Sequence, residues 1–216
     1  AAYAAVYAPA TRYGSRLRKA AARNDAATLR DLVARGCDPR GTDGLGYTLL
    51  HAAAAAGHLE CANAAVEVLT AAAAQGERFD VDARDRYGWT ACVCAAANGH
   101  VRVVERLTQL GANWRAQTNE GRTALHWAAA KGRLDVVSLL LKKGGGGSDL
   151  VDNAGMTPLH LAAQHGHVAV CAKLVKDSSK AGTANNILGM APYADFQDTA
   201  FWLKAGAPLG GGDSKK

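Results

Sequence analysis

Seven histidines and five cysteines are the residues of this chain best suited to proton transfer, nucleophilic attack or metal binding. Their spacing argues against all three roles. His51, His126 and His160 each stand three residues after a threonine, and His58, His100 and His167 each follow a glycine. Residues that return at one position of successive copies belong to the copies, not to a single reaction centre. Only His165 falls outside both series. Paired with His167 it has the form of a metal pair, but no further His, Cys or carboxylate cluster nearby in sequence completes a site. Cys37, Cys61, Cys92, Cys94 and Cys171 are odd in number and include no Cys-x-x-Cys. They read as reduced thiols of an intracellular compartment. Cys92 and Cys94 take positions where other copies carry Leu, Trp or Ala, which reads as small core residues. Phosphate loops of the Walker or dinucleotide type are absent. No catalytic residue, metal site or cofactor is expected.

The elements that carry these residues repeat. Thr48, Thr90, Thr123 and Thr157 open near copies of one segment, the last two steps being 33 and 34 residues. The copies read Gly46-Tyr47-Thr48-Leu49-Leu50-His51-Ala52-Ala53, Gly88-Trp89-Thr90-Ala91-Cys92-Val93-Cys94-Ala95, Gly121-Arg122-Thr123-Ala124-Leu125-His126-Trp127-Ala128 and Gly155-Met156-Thr157-Pro158-Leu159-His160-Leu161-Ala162. Each threonine is suited to cap a short Ala-rich helix, and Pro158 suits a first helical turn. Nine residues on, Gly57, Gly99, Gly132 and Gly166 end that helix. A second helix follows with apolar residues at helical spacing, Val101, Val103, Val104, Leu107 and Leu110 in one copy. The chain then turns through a segment such as Asp85-Arg86-Tyr87-Gly88 into the next threonine.

The period and the Thr-Pro-Leu-His signature resemble the ankyrin-repeat family over residues 43–178. The resemblance implies an all-α solenoid of stacked helix pairs with projecting hairpin loops, about four full repeats between degenerate N- and C-terminal caps. It implies that His51, His126 and His160, with Thr48, Thr90, Thr123 and Thr157, are structural and tie a helix start to its neighbour. The expected units are a basic Ala-rich arm at 1–15, a degenerate capping repeat at 16–42, repeats at 43–84, 85–117, 118–151 and 152–180, a shortened cap at 181–209 and a tail at 210–216. In the cap at 16–42, Asn24 replaces the helix-ending glycine, which Asn tolerates.

Two departures interrupt the register. Forty-two residues separate Thr48 from Thr90, and the surplus falls mainly in the second helix, expected as one continuous helix from Glu60 to Gln75. Gly144 to Gly147 with Ser148 reads as a flexible loop.

The formal charge of +6 is unevenly placed: residues 1–40 hold eight Arg or Lys against three Asp, leaving the remainder at +1. Residues 1–23, with Arg12, Arg16, Arg18, Lys19 and Arg23, contain no acid. They read as a solvated helix and tail, with a basic arm for an acidic partner as the second reading. Nucleic acid is not expected, because the cations do not alternate with aromatics along one stripe. No apolar run is long enough for a membrane span. The cytoplasm or a cilium is expected, and the Arg- and Ala-rich N-terminus leaves plastid and mitochondrion open.

What remains is recognition. In the resembled family, partners meet hairpin tips and the exposed positions of the first helix on a concave face. By register the partner-binding positions are Tyr47, Arg86, Tyr87, Trp89, Asn98, Glu120, Arg122, Lys131, Met156 and Gln164. Tyr, Trp and Arg are the types enriched at binding hot spots. A Tyr87/Trp89 double alanine variant is expected to lose binding without unfolding, while Trp127 reads as core. The chain is therefore expected to be a non-catalytic binding scaffold, an accessory structural subunit of a larger assembly. A reversible regulatory adaptor and the targeting domain of an enzyme are the alternatives. The tails, with Tyr3, Tyr7 and Tyr13 at one end and Tyr193, Phe196, Phe201 and Trp202 at the other, are the expected anchors of a subunit.

Overall fold

In the computed structural model of the chain, residues 14–73, 79–144 and 150–180 are described. They form ten helices and no strand. In chain order these are α1 (Gly14–Ala22), α2 (Ala26–Ala34), α3 (Leu49–Ala56), α4 (Leu59–Ala72), α5 (Ala91–Asn98), α6 (Val101–Gln109), α7 (Ala124–Ala130), α8 (Leu134–Gly144), α9 (Pro158–Gln164) and α10 (Val168–Lys180). The odd-numbered helices pack on one another as an inner layer and the even-numbered ones as an outer layer.

Four of the inner helices, α3, α5, α7 and α9, start at a threonine in extended conformation, and the threonine side chain turns back onto the helix. Thr48 and Thr157 Oγ1 accept the N–H of His51 and His160 at 3.3 Å, and Thr90 accepts that of Val93 at 3.4 Å. The helices are short and can stack closely because their centres are pairs of fully buried alanines: Ala53 and Ala54, Ala95 and Ala96, Ala128 and Ala129. A helix of 7 or 8 residues is unstable alone in water. Its stability comes from the outer layer, where Val103, Val104 and Leu107 of α6 and Val136, Val137 and Leu140 of α8 are buried at helical spacing.

Asn24 has φ +60 and is the one non-glycine residue with positive φ among the described residues, holding the place that glycine holds in the later copies. The elongated outer helix is present as α4, 14 residues against 9 in α6. It closes on Ala73, whose N–H reaches Leu69 O, and the expected continuation to Gln75 lies beyond the described residues. Residues 1–13 of the arm, residues 145–149 with most of the Gly144–Ser148 loop, the cap at 181–209 with its aromatic residues and the tail at 210–216 also lie outside them.

Glycine is required most strongly where one hairpin passes beneath the next. Gly121 has φ +76, and a Cβ added there would meet Asn153 Oδ1 and come within 2.8 Å of the Asn153 backbone N. Gly111 has a similar φ, +88, but an added Cβ would meet nothing. Gly121→Ala is expected to cost about 2–3 kcal/mol and Gly111→Ala only about 1 kcal/mol. Urea unfolding of the two variants reads that difference, and equal losses would contradict the close approach.

Candidate functional site

The histidines are consumed by the stack. At His51, Nδ1 accepts from the Thr48 N–H at 3.3 Å and lies 2.7 Å from Thr48 Oγ1, while Nε2 lies 2.9 Å from the carbonyl of Trp89 in the next copy. One tautomer fits both ends: Nε2 carries the proton and Nδ1 accepts. His126 repeats this between Thr123 and the carbonyl of Met156, at 2.9 and 3.2 Å. Burial pulls the imidazolium pKa of both below its ordinary value, to about 4 at His126. The second series points backwards. His58, His100 and His167 set Nε2 against the carbonyls of Ala22, Ala55 and Ala130 in the preceding copy, at 3.2, 3.0 and 3.1 Å. Arg133 takes the same place with Nε on Ala97 O at 3.3 Å. The copies headed by Thr48 and Thr123 are thus tied forward from their helix starts, and backward ties run from the residue after the helix-ending glycine.

His165 bonds the carbonyl of Leu161 through Nδ1 at 2.8 Å and stacks on His167 with ring centroids 6.2 Å apart. Among the described residues no group of three His, Cys, Asp or Glu is placed to hold a metal. Burial drives the thiols of Cys92 and Cys171 up to about 12 and raises that of Cys94 as well, so these sulfurs stay protonated and unreactive near neutral pH.

The hairpins form a ladder that presents side chains at regular intervals. Asp43, Asp85 and Asp152 each accept two N–H groups of their own turn through Oδ1, as in Tyr87 and Trp89 onto Asp85 at 2.9 and 2.8 Å. Successive turns then bond backbone to backbone: Arg86 N to Leu45 O at 2.7 Å, Asn119 N to Tyr87 O at 3.0 Å and Asn153 N to Glu120 O at 2.9 Å. Asn119 and Asn153 add side-chain rungs to Arg86 O and Asn119 O, each 2.8 Å.

A family profile described as "Ankyrin repeats (3 copies)" matches residues 17–118 and 93–186, most of the chain. The chain belongs to the ankyrin-repeat family. Among similar proteins are Palmitoyltransferase AKR1 of Lachancea kluyveri, 31% identical over 52% of this chain and 15% of the relative, and Neurogenic locus notch homolog protein 1 of Danio rerio, 35% over 61% and 5%. NF-kappa-B inhibitor delta of Mus musculus is 41% identical over 46% of this chain and 28% of the relative. The chain thus matches under a third of the length of these relatives.

Ankyrin repeats act in protein–protein interaction, and the register defines which residues the hairpins and inner helices offer. Arg86, Tyr87, Asn98, Glu120, Lys131 and Gln164 are exposed, and Arg122 and Met156 are half-buried. Tyr47 and Trp89, expected as contacts, are core residues at 8% and 5% exposure. Tyr47 folds back so that its hydroxyl donates to His51 O at 3.2 Å, and Trp89 packs against Trp127 at a tilt of 45° with centroids 4.6 Å apart. The residue between Gly and Thr therefore seals the joint between two ankyrin repeats. Trp127, read as core, is half-buried, with the Arg122 guanidinium 5.2 Å above its ring. That guanidinium is fixed by Asp152 at 2.9 Å and Glu120 at 3.1 Å. Burial alone would raise the Asp152 carboxyl, but the Arg122 bond and two backbone N–H groups outweigh it and hold its pKa below the ordinary value.

Arg18 is the second surprise. Expected on a solvated helix, it is 8% exposed and donates from Nη1 to Gly41 O at 3.2 Å. Burial pulls its pKa down against the opposing charge of Asp43. Arg18 stands six residues before Asn24, as His51 stands six before Gly57. It is the capping repeat's substitute for the signature histidine, and that spacing was the signal available.

Proposed function

We propose that this ankyrin-repeat chain is a non-catalytic scaffold, an accessory structural subunit of a larger intracellular assembly. It meets its protein partner through the exposed hairpin and inner-helix positions Arg86, Tyr87, Asn98, Glu120, Lys131 and Gln164, with Arg122 and Met156 at their edge. The observation that carries this reading is the unbroken backbone ladder from Leu45 to Asn153, which holds those side chains in fixed register across successive repeats. Preorganisation of this kind lowers the entropy lost on binding. The long α4, five residues longer than α6 of the next repeat, supports the subunit reading.

Similarity to an NF-kappa-B inhibitor favours, as a second reading, a reversible regulatory adaptor. Similarity to a palmitoyltransferase favours, as a third, the recognition domain of an enzyme. Affinity isolation of the tagged protein at moderate salt, with size analysis of what accompanies it, separates them. A salt-resistant complex of fixed ratio is expected; a free pool with one salt-sensitive partner would support the adaptor, and an attached catalytic chain the third reading.

A further inference from the structure

The first inner helix among the described residues, α1, carries a face unlike that of any other described helix of the stack. Arg16, Lys19 and Arg23 stand eight, five and one residues before Asn24, the register that Leu49, Ala52 and Ala56 hold before Gly57 and that Ala91, Cys94 and Asn98 hold before Gly99. In α3 and α5 the first two of these positions are buried: Leu49 at 1%, Ala52 at 7%, Ala91 at 1% and Cys94 at 3% exposure. They are the positions that receive the preceding inner helix. In the capping repeat all three are exposed cations, Arg16 and Lys19 on α1 and Arg23 in the turn that follows it, while Leu17, Ala20 and Ala21 on the opposite face are buried against the rest of the stack.

A terminal repeat needs a polar outer face to stay soluble, but solubility does not require one sign of charge. Residues 14–24 contain no acid. Neighbouring exposed arginines are neutralised: Arg30 pairs with Glu67 at 3.1 Å, Arg35 with Asp31 at 2.8 Å and Arg40 with Asp38 at 3.0 Å. Among the described residues, Arg16, Lys19 and Arg23 have no such partner. Their spacing of three and four residues aligns them along two turns of one helical face, roughly 10 Å at 1.5 Å per residue.

We propose that this outward face of α1 is a docking surface for an acidic protein segment, separate from the hairpin face and independent of the function read there. Charge complementarity over two helical turns suits carboxylates at helical spacing. No aromatic residue lies within 14–24 to stack a base, which favours protein over nucleic acid.

The test uses the full chain and a fluorescent oligoglutamate peptide at low salt, read by anisotropy. Arg16→Glu/Lys19→Glu/Arg23→Glu should weaken peptide binding by about tenfold or more. The neutral variant with Gln at all three positions should fall between it and the parent, and remains informative if charge reversal disturbs folding. A control with the same change of charge on the outer layer, Arg102→Glu/Lys142→Glu/Lys176→Glu, should keep binding within about threefold, the residual effect of screened net charge. Equal loss in the control, no binding by the parent, or tighter binding of a short DNA duplex than of the peptide would each overturn the proposal.

Discussion

Trp89→Ala is expected to destabilise the protein by about 3–5 kcal/mol, as for other buried tryptophans. The side chain is 5% exposed, packs at a tilt against Trp127 and sits one residue before the capping Thr90. Its removal opens a void at the joint between two repeats and leaves the Trp127 ring without its neighbour. Because repeats are stabilised largely by their interfaces, the loss should broaden or split the unfolding transition. Tyr87→Ala, at a side chain 42% exposed, should change stability by less than about 1 kcal/mol. Urea unfolding followed by tryptophan fluorescence and by helix content gives both numbers. A Trp89→Ala protein with parental stability would sink the assignment of Trp89 to the core.

Acid should weaken the stack well before carboxylates titrate in bulk. The folded pKa of His126 is about 4, below its ordinary value of 6.5, and that of His51 is lowered too. The unfolded chain therefore binds more protons than the folded one between those values, so stability rises with pH across the window. The contribution is fully present above pH 6.5 and is lost as pH falls through about 4. At 1.4 kcal/mol per unit, His126 alone accounts for about 3 kcal/mol. The physical cause is specific: Nδ1 accepts from the Thr123 N–H and faces its hydroxyl, so a proton there breaks the cap as it charges a buried ring. Val93 fills this position in its own repeat. His126→Val should consequently flatten the dependence between pH 6.5 and 4, whatever it does to stability at pH 7. An unchanged slope would show that the buried imidazole is not its source.

Periodicity made the fold legible because three independent features, the capping threonine, the helix-ending glycine and the apolar ladder, fall at fixed offsets and each has a local cause. Asn24 was readable for the same reason, since left-handed backbone is available to few residues. The contact face was only half legible. Register identifies which positions point toward the hairpin face, but it cannot say whether a large side chain there extends outward or folds back. Tyr47 and Trp89 fold back because burying an aromatic ring at a repeat joint, with a hydroxyl or ring partner within reach, is more favourable than leaving it in water. Arg122 could not be judged from sequence either, because its anions come from its own hairpin and the next one, 30 residues away at Asp152. Arg18 was hidden by its company: a charge count treats it as one more surface cation, whereas the repeat offset places it at the buried histidine position.

The central claim is that this ankyrin-repeat protein binds its partner through the exposed hairpin and inner-helix residues. The most direct test is quantitative affinity isolation of tagged parent and Arg86→Glu/Tyr87→Ala/Lys131→Glu proteins, after thermal unfolding has verified that both are folded. Loss of the co-isolated partner from the folded variant, by about tenfold or more, is the predicted result. Undiminished recovery of the same partner by the folded variant would contradict the claim and move the contact to another face.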